Sequence, residues 1–409
     1  MKTKKNIWLW ASYDFANSII SIVFFLYFSQ WIVVEQKFSD LSYNLTYTYA
    51  TILLLLVVPV LGFLFDTRLQ RIVGLRVTTV LSALSYSLCA YFGIVGNPTW
   101  SLVMFTIGMF FYMLTFTCYT PLIHDISHEH ERGRVSGLGV ALNYLGQFVG
   151  LLLVLPFANG LIHIFGVSPR LETLFPAIIL YLLFSFPMLV WFQESPKMAV
   201  LNTEKLREHA RSIWHSTKEL FGYKYVVLYF LAYFFFNDAV LTAANNFPIF
   251  VEQVWGVSDN IKSAILAGIV LTSALGGLAG GKIADRFGHK RTLTAILFGW
   301  IFVLPSIAYV PSFVLFIVAT TLMGFWFGAS WAVSRSVMAY LTPQGMHNLA
   351  FGYFGLVERT SSLLGPVAWG VTVGGLVELG SERYKIAVLV ITSFVVFGLL
   401  VLRKVRGDK

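Results

Sequence analysis

Apolar runs of about 20 residues or more recur along the chain with short polar stretches between them. That is the length an α-helix needs to cross the hydrocarbon of a bilayer. Twelve spans are predicted, at about 7–33, 45–65, 73–95, 100–123, 135–157, 174–192, 225–251, 261–284, 292–310, 312–341, 350–375 and 385–402. The short alternating segments of a membrane β-barrel do not occur. Basic residues precede the first run, but that run is too long for a signal-peptide core and no small-residue cleavage site follows, so it reads as a retained span. The longest polar interruption divides the spans six and six. It gives an N-terminal bundle at 1–192, a linker at 193–224 and a C-terminal bundle at 225–409. Within the linker, Leu206, Ala210, Ile213, Trp214 and Leu220 recur at helical spacing among charged residues, the pattern of an amphipathic helix lying on a membrane face.

Composition sharpens this picture. The chain is 57% hydrophobic and only 12% charged, against about 25% charged for soluble domains. Its net charge of +9 raises the question of nucleic acid, but the placement of the charge answers differently. Of 29 Lys and Arg residues, 22 fall in segments on the side where the chain starts. Lys37, Arg170, Lys262, Arg383 and Lys385 fall opposite, and Arg335 and Arg359 lie within spans. This asymmetry follows the positive-inside rule and predicts cytosolic termini, with no nucleic-acid partner. Cys89 and Cys118 sit inside predicted spans, so no disulfide framework is expected.

The loop after span eight reads Gly281-Lys-Ile-Ala-Asp285-Arg286-Phe-Gly288-His-Lys290-Arg291. Gly281 is expected to permit close helix approach, and Gly288 the positive φ of a tight turn. Asp285 and Arg286 become candidate gate residues. The matching loop after span two keeps Gly62 and Asp66 but is otherwise degraded, and Arg335, six residues from the end of span ten, joins the predicted gate. The halves also repeat: a shift of 215 pairs Gly137 with Gly352, Gly150 with Gly365 and Asn143 with Glu358.

The Gly281–Arg291 loop resembles the signature loop of the major facilitator superfamily. Three further segments narrow the resemblance. Trp10-Ala-Ser-Tyr13-Asp14-Phe-Ala-Asn17-Ser18, Arg132-Gly-Arg134-Val-Ser136-Gly137 with Asn143-Tyr144-Leu-Gly146, and Ser334-Arg335-Ser336 with Ser361-Ser-Leu-Leu-Gly365-Pro366 are similar to the vacuole effluxer-like branch. That branch includes fungal autophagy-related vacuolar amino-acid exporters. Phe236-Asn237-Asp238-Ala239 matches a branch Asn-Asp-Gly with Ala in place of Gly, and Glu358 stands where the branch carries a small or neutral residue. The resemblance implies an all-α membrane fold of twelve helices in two pseudo-symmetric six-helix bundles, and a substrate class of amino acids.

Carboxylates inside spans carry the chemistry. An ionised Asp at the centre of a membrane helix costs roughly 2.5–3.5 kcal/mol on insertion scales, so Asp14 and Asp238 mark a substrate or ion pathway. Asp14 lies about 13 Å along the helix from Lys5, and Asp238 some 21 Å from Lys224. Asn17, Asn237, Asn143, Gln147 and Tyr13 accompany them as hydrogen-bonding candidates. Glu358 and Arg359 are adjacent, so they point about 100° apart and each needs a partner on another span. One arrangement for a zwitterion places Arg359 on the carboxylate and Asp238 or Asp14 on the amine. His124, Asp125, His128 and His130 lack metal-motif spacing and read as a solvated loop.

The expected function is secondary active transport of a small polar metabolite, amino acids first, by alternating access with proton-coupled efflux. A drug, lipid or sugar transporter of the same fold, or a transporter-like receptor that binds without translocating, are the rival readings. The partners expected are the small-molecule substrate, protons and membrane lipids. No phosphate-binding loop or nucleophile elbow occurs, so no cofactor, metal or enzymatic activity is expected. The predicted location is the cytoplasmic membrane of a prokaryote, as a multi-pass monomer.

Overall fold

A computed structural model of the chain describes residues 4–67, 69–127, 132–194, 214–343 and 346–406. The described residues are almost wholly helical. The long helices are α1 (Lys4–Val23), α2 (Asp40–Thr67), α3 (Arg71–Ile94), α4 (Pro98–Tyr119), α5 (Arg132–Ala158) and α6 (Leu174–Trp191). There follow α7 (Lys224–Trp255), α8 (Asp259–Phe287), α9 (His289–Tyr309), α10 (Phe313–Leu341), α11 (His347–Thr360), α12 (Gly365–Gly375) and α13 (Glu382–Arg403). Beyond Val23 the first span continues through two π-helical turns, Phe24–Phe28 and Trp31–Glu35, to its end at Glu35. Eleven of these segments are long and apolar enough to cross a membrane.

The remaining predicted span, at 350–375, is not one helix. It is split into α11 and α12 at residues 361–364. Pro366 lacks an N–H and sits in the first turn of α12, where that group would have had no helical partner. The predicted amphipathic linker falls largely outside the described residues, which resume as a helix at Trp214.

Backbone contacts divide the chain into two units. The first comprises Met1–Val200 with Val257–Ala267, and the second Leu201–Gly256 with Gly268–Lys409.

In the first unit, α1 is the central helix, packed against α5 and α6, while α3 pairs with α4. Buried residues fall on every face of α1, as expected for a helix within a bundle rather than facing lipid. Trp10 and Tyr119 stack with centroids 4.7 Å apart. They also exchange hydrogen bonds: Trp10 Nε1 donates to the Tyr119 carbonyl (3.2 Å) and Tyr119 Oη to the Trp10 carbonyl (3.0 Å). Gly146 and Gly150 let α5 approach α1, because a Cβ at either would press on the backbone of Phe15 or Ile19.

In the second unit, α7 packs against α13, and α9 against α10 and α13. The α8–α10 contact is a glycine seam. A Cβ on Gly276 would collide with the Phe325 carbonyl, and one on Gly328 with the Ser273 carbonyl. Close backbone approach of this kind replaces hydrophobic drive where the solvent is itself apolar. Gly281, expected to serve such an approach, does not: a Cβ there would meet open space, since the contact runs along Gly276 and the adjacent Gly280, on another face of the helix. Gly288 does adopt a positive φ of 97°, between α8 and α9.

Candidate functional site

In the first unit, α1 and α5 bring three predicted residues together. Asn143 Nδ2 donates to Asp14 Oδ1 (3.2 Å), and Gln147 Nε2 donates to Asn143 Oδ1 (2.8 Å). Asn143 and Gln147 are one turn apart on α5, so their amides line up along one face. All three are half-buried. Tyr13 turns instead into the bundle interior, where its hydroxyl meets Thr79 Oγ1 at 2.6 Å. Asn17 is fully buried one turn beyond Tyr13, and neither atom of its amide has a hydrogen-bond partner among the described residues. Such an orphaned amide is costly in a dry interior. Tyr112 of α4, which was not among the sequence candidates, reaches the same helix and donates to the Asn17 carbonyl (3.3 Å).

In the second unit, the neighbours Asn237 and Asp238 of α7 hold the two sides of the interruption in span eleven. Asn237 Nδ2 donates to the Glu358 carbonyl (3.2 Å) and to Ser361 Oγ (2.5 Å), at the C-terminal end of α11. Asp238 Oδ2 accepts from the backbone N–H of Leu364 (3.1 Å) and Gly365 (2.8 Å), at the N-terminal end of α12. A helix start has unpaired N–H groups and a positive dipole end, so a carboxylate belongs there electrostatically. Broken helices are tolerated at membrane depth only where such partners exist. Asp238 thus has a structural task that its sequence position did not reveal.

Glu358 and Arg359 diverge on α11 as expected. Glu358 faces Arg335 of α10, Oε1 to Nη2 at 3.9 Å, and Arg359 is half-buried on its own side of the helix. Asp285 and Arg286 are exposed at the end of α8. The side chains of Asp66, His124, His128 and His130 lie outside the described residues.

Sequence reasoning missed a charged cluster in the first unit. Arg170 binds Asp259 bidentately, through Nε (2.8 Å) and Nη2 (3.1 Å), and its Nη1 lies 3.5 Å from Glu35. The buried Lys262 contacts Asp259 (2.5 Å) and the Gln30 side-chain oxygen. Tyr27 and Ser263 join alongside at 2.9 Å. The signal was present: Arg170 and Lys262 are two of only five basic residues on the sparsely charged side.

Among the described residues no group of three or more His, Cys, Asp or Glu is placed to hold a metal. A cavity of about 20 Å³ in the second unit, lined by Phe247, Phe250, Leu304, Met323 and Trp369, has room for about one water and no substrate.

The model of the major facilitator superfamily of transporters matches residues 1–151. The chain belongs to the family described as vacuole effluxer Atg22 like, matched over residues 121–409. The uncharacterized MFS-type transporter YxiO of Bacillus subtilis is 22% identical over 411 residues, covering 95% of this chain and 92% of that one. Autophagy-related protein 22 of Yarrowia lipolytica is 24% identical over 337 residues, covering 71% of this chain and 54% of the relative. The fold matches that of a D-xylose-proton symporter, with a TM-score of 0.77 at 14% identity over 99% of this chain and 98% of the other. It also matches the nucleoside transporter NupG, with a TM-score of 0.72 at 14% identity over 98% of this chain and 99% of the other.

Proposed function

We propose that the protein exports a small polar metabolite, amino acids first, by alternating access coupled to protons. The observation that carries this reading is the half-buried Asp14 on the central helix of the first unit, hydrogen-bonded to Asn143 and through it to Gln147. A carboxylate inside a span changes its charge on protonation, and that change alters the cost of burying it, which can bias two conformations of a transporter. The neutral amides beside it supply donors and acceptors for a polar substrate. The family's description as a vacuole effluxer supports export, and the amino-acid class rests on the sequence resemblance to the branch that includes vacuolar amino-acid exporters.

The concentration of Lys and Arg in alternate loops supports cytosolic termini. The near full-length match to a Bacillus subtilis transporter supports a prokaryotic cytoplasmic membrane. The working unit in this reading is the monomer.

Counterflow in proteoliposomes tests the reading. Vesicles preloaded with each of the twenty amino acids should accumulate the labelled form, faster when a proton gradient is imposed. Exchange of nucleosides, sugars or lipids in place of amino acids would overturn the substrate class. Binding without any exchange would make the protein a receptor.

A further inference from the structure

We propose that Arg335 and Glu358 form the docking site for the two charges of a zwitterionic substrate, with Arg335 taking its carboxylate and Glu358 its ammonium group. The inference rests on the amino-acid reading above and assigns Arg335 a role in binding.

The geometry of the pair is that of an unfinished contact. Arg335 Nη2 and Glu358 Oε1 are 3.9 Å apart, beyond hydrogen-bond reach. A guanidinium carries five donors in a fork that fits a carboxylate through two parallel bonds. Here that fork has one distant carboxylate oxygen before it. The contrast with Arg170, which engages Asp259 through two bonds at 2.8 and 3.1 Å, shows what a finished Arg–carboxylate pair looks like in this same protein.

Both side chains are also uncovered, at 41% for Arg335 and 24% for Glu358. Yet both lie well within spans. Arg335 is about 9 Å from the end of α10, and Glu358 about 16 Å from the start of α11. Charges held at such depth face water or each other, because hydrocarbon penalises them by several kcal/mol. An exposed, loosely paired Arg and Glu in this setting line a wet surface.

The neighbouring groups suit a ligand. Trp331 lies one turn before Arg335 on the same face of α10, and its indole N–H has no partner among the described residues. Phe354 lies one turn before Glu358, stacked on Tyr233 with centroids 4.4 Å apart. Tyr229 donates to the Ser334 carbonyl (2.7 Å) and fixes the backbone beside Arg335. Asn237 does the same for Glu358. The two charges are therefore held on anchored backbone while their side chains keep open valences.

Charge balance selects the substrate class. The pair is neutral in sum, so an anion on Arg335 alone would strand Glu358, and a cation on Glu358 alone would strand Arg335. Stranding a partly desolvated charge is expensive. A zwitterion inserted between them leaves each side chain with an opposite partner.

The test uses the full-length protein in proteoliposomes. The probes are each amino acid that exchanges, its amide, which lacks the carboxylate charge, and its N-acetyl derivative, which lacks the ammonium charge. Wild type should bind the zwitterion about tenfold or more tighter than either derivative, the range expected for one charged hydrogen-bonding group. Arg335→Gln should abolish discrimination against the amide while keeping it against the N-acetyl form. Glu358→Gln should do the reverse. If both variants exchange amino acids with wild-type discrimination, the docking site is wrong and the amino-acid reading stands. If both lose affinity for all three probes equally and melt earlier, the pair is structural and the proposal fails. Failure of the wild type to exchange any amino acid sinks the reading itself.

Discussion

Asn237 of α7 donates to the backbone carbonyl of Glu358 on α11, so an uncharged side chain fixes where a charged one stands. The first unit makes the related contact between Asn143 of α5 and Asp14 of α1. Asn143 and Glu358 are the residues that the internal repeat places in register. Each unit therefore ties its first helix to its fifth span at a common level, with the acid on the first helix in one and on the fifth span in the other. The acid takes part through its carboxylate in the first unit and through its backbone carbonyl in the second.

Asp238 gives the first prediction. Asp238→Ala removes the acceptor for the buried N–H of Gly365, which costs about 1–3 kcal/mol when orphaned, and for the part-buried N–H of Leu364. Asp238→Asn keeps an oxygen in place. Melting temperatures in detergent should fall in the order wild type, Asn variant, Ala variant. Equal melting of the two variants would mean that the carboxylate does not hold the start of α12.

For Asp14, the expected separation is between exchange and drive. Asp14→Asn retains an acceptor for Asn143 but cannot change its charge. Counterflow at equal pH should persist in this variant, while acceleration by an imposed pH gradient should disappear. Retention of that acceleration would move proton coupling to another residue.

The glycine seam predicts a steep steric cost. Gly328→Val drives side-chain atoms into the Ser273 carbonyl and should abolish a monodisperse peak on size exclusion. Gly281→Ala meets open space and should change stability by no more than about 0.5 kcal/mol. A folded Gly328→Val would show that α8 and α10 can separate.

Arg170 and Asp259 are largely covered and bidentate, and truncating Arg170 removes two charge-assisted hydrogen bonds while leaving Asp259 with Lys262. Arg170→Ala should destabilise by about 1.5–3 kcal/mol, read as an earlier melt. The double variant with Asp259→Ala also strands the buried Lys262, so its loss should exceed that of Arg170→Ala but fall short of the sum of the two single losses. Additive losses would show that the pair is not coupled.

Much of the fold was legible because a bilayer imposes a strong length rule on apolar runs, and eleven of the predicted spans are long continuous helices. The exception, at 350–375, carried its own warning in Gly365-Pro366, but apolar composition alone does not distinguish a whole helix from two halves. Asp14 and Asp238 were visible as costly residues. What they touch was not, since Leu364 and Gly365 contribute backbone N–H groups, which leave no mark in side-chain identity. Arg335 opposite Glu358, and Arg170 opposite Asp259, are pairings between distant segments that only packing creates. Tyr112 was one aromatic residue among many until its hydroxyl was seen beside Asn17.

The near-fusion of α8 and α10 along Gly276, Gly280, Gly324 and Gly328 has a mechanical corollary. Two rods locked carbonyl against glycine cannot slide or roll without collision, so over residues 268–287 and 313–341 they behave as one stiff plate. The jointed span α11–α12, whose gap is bridged by side chains rather than by its own backbone ladder, is the contrasting compliant element of that unit.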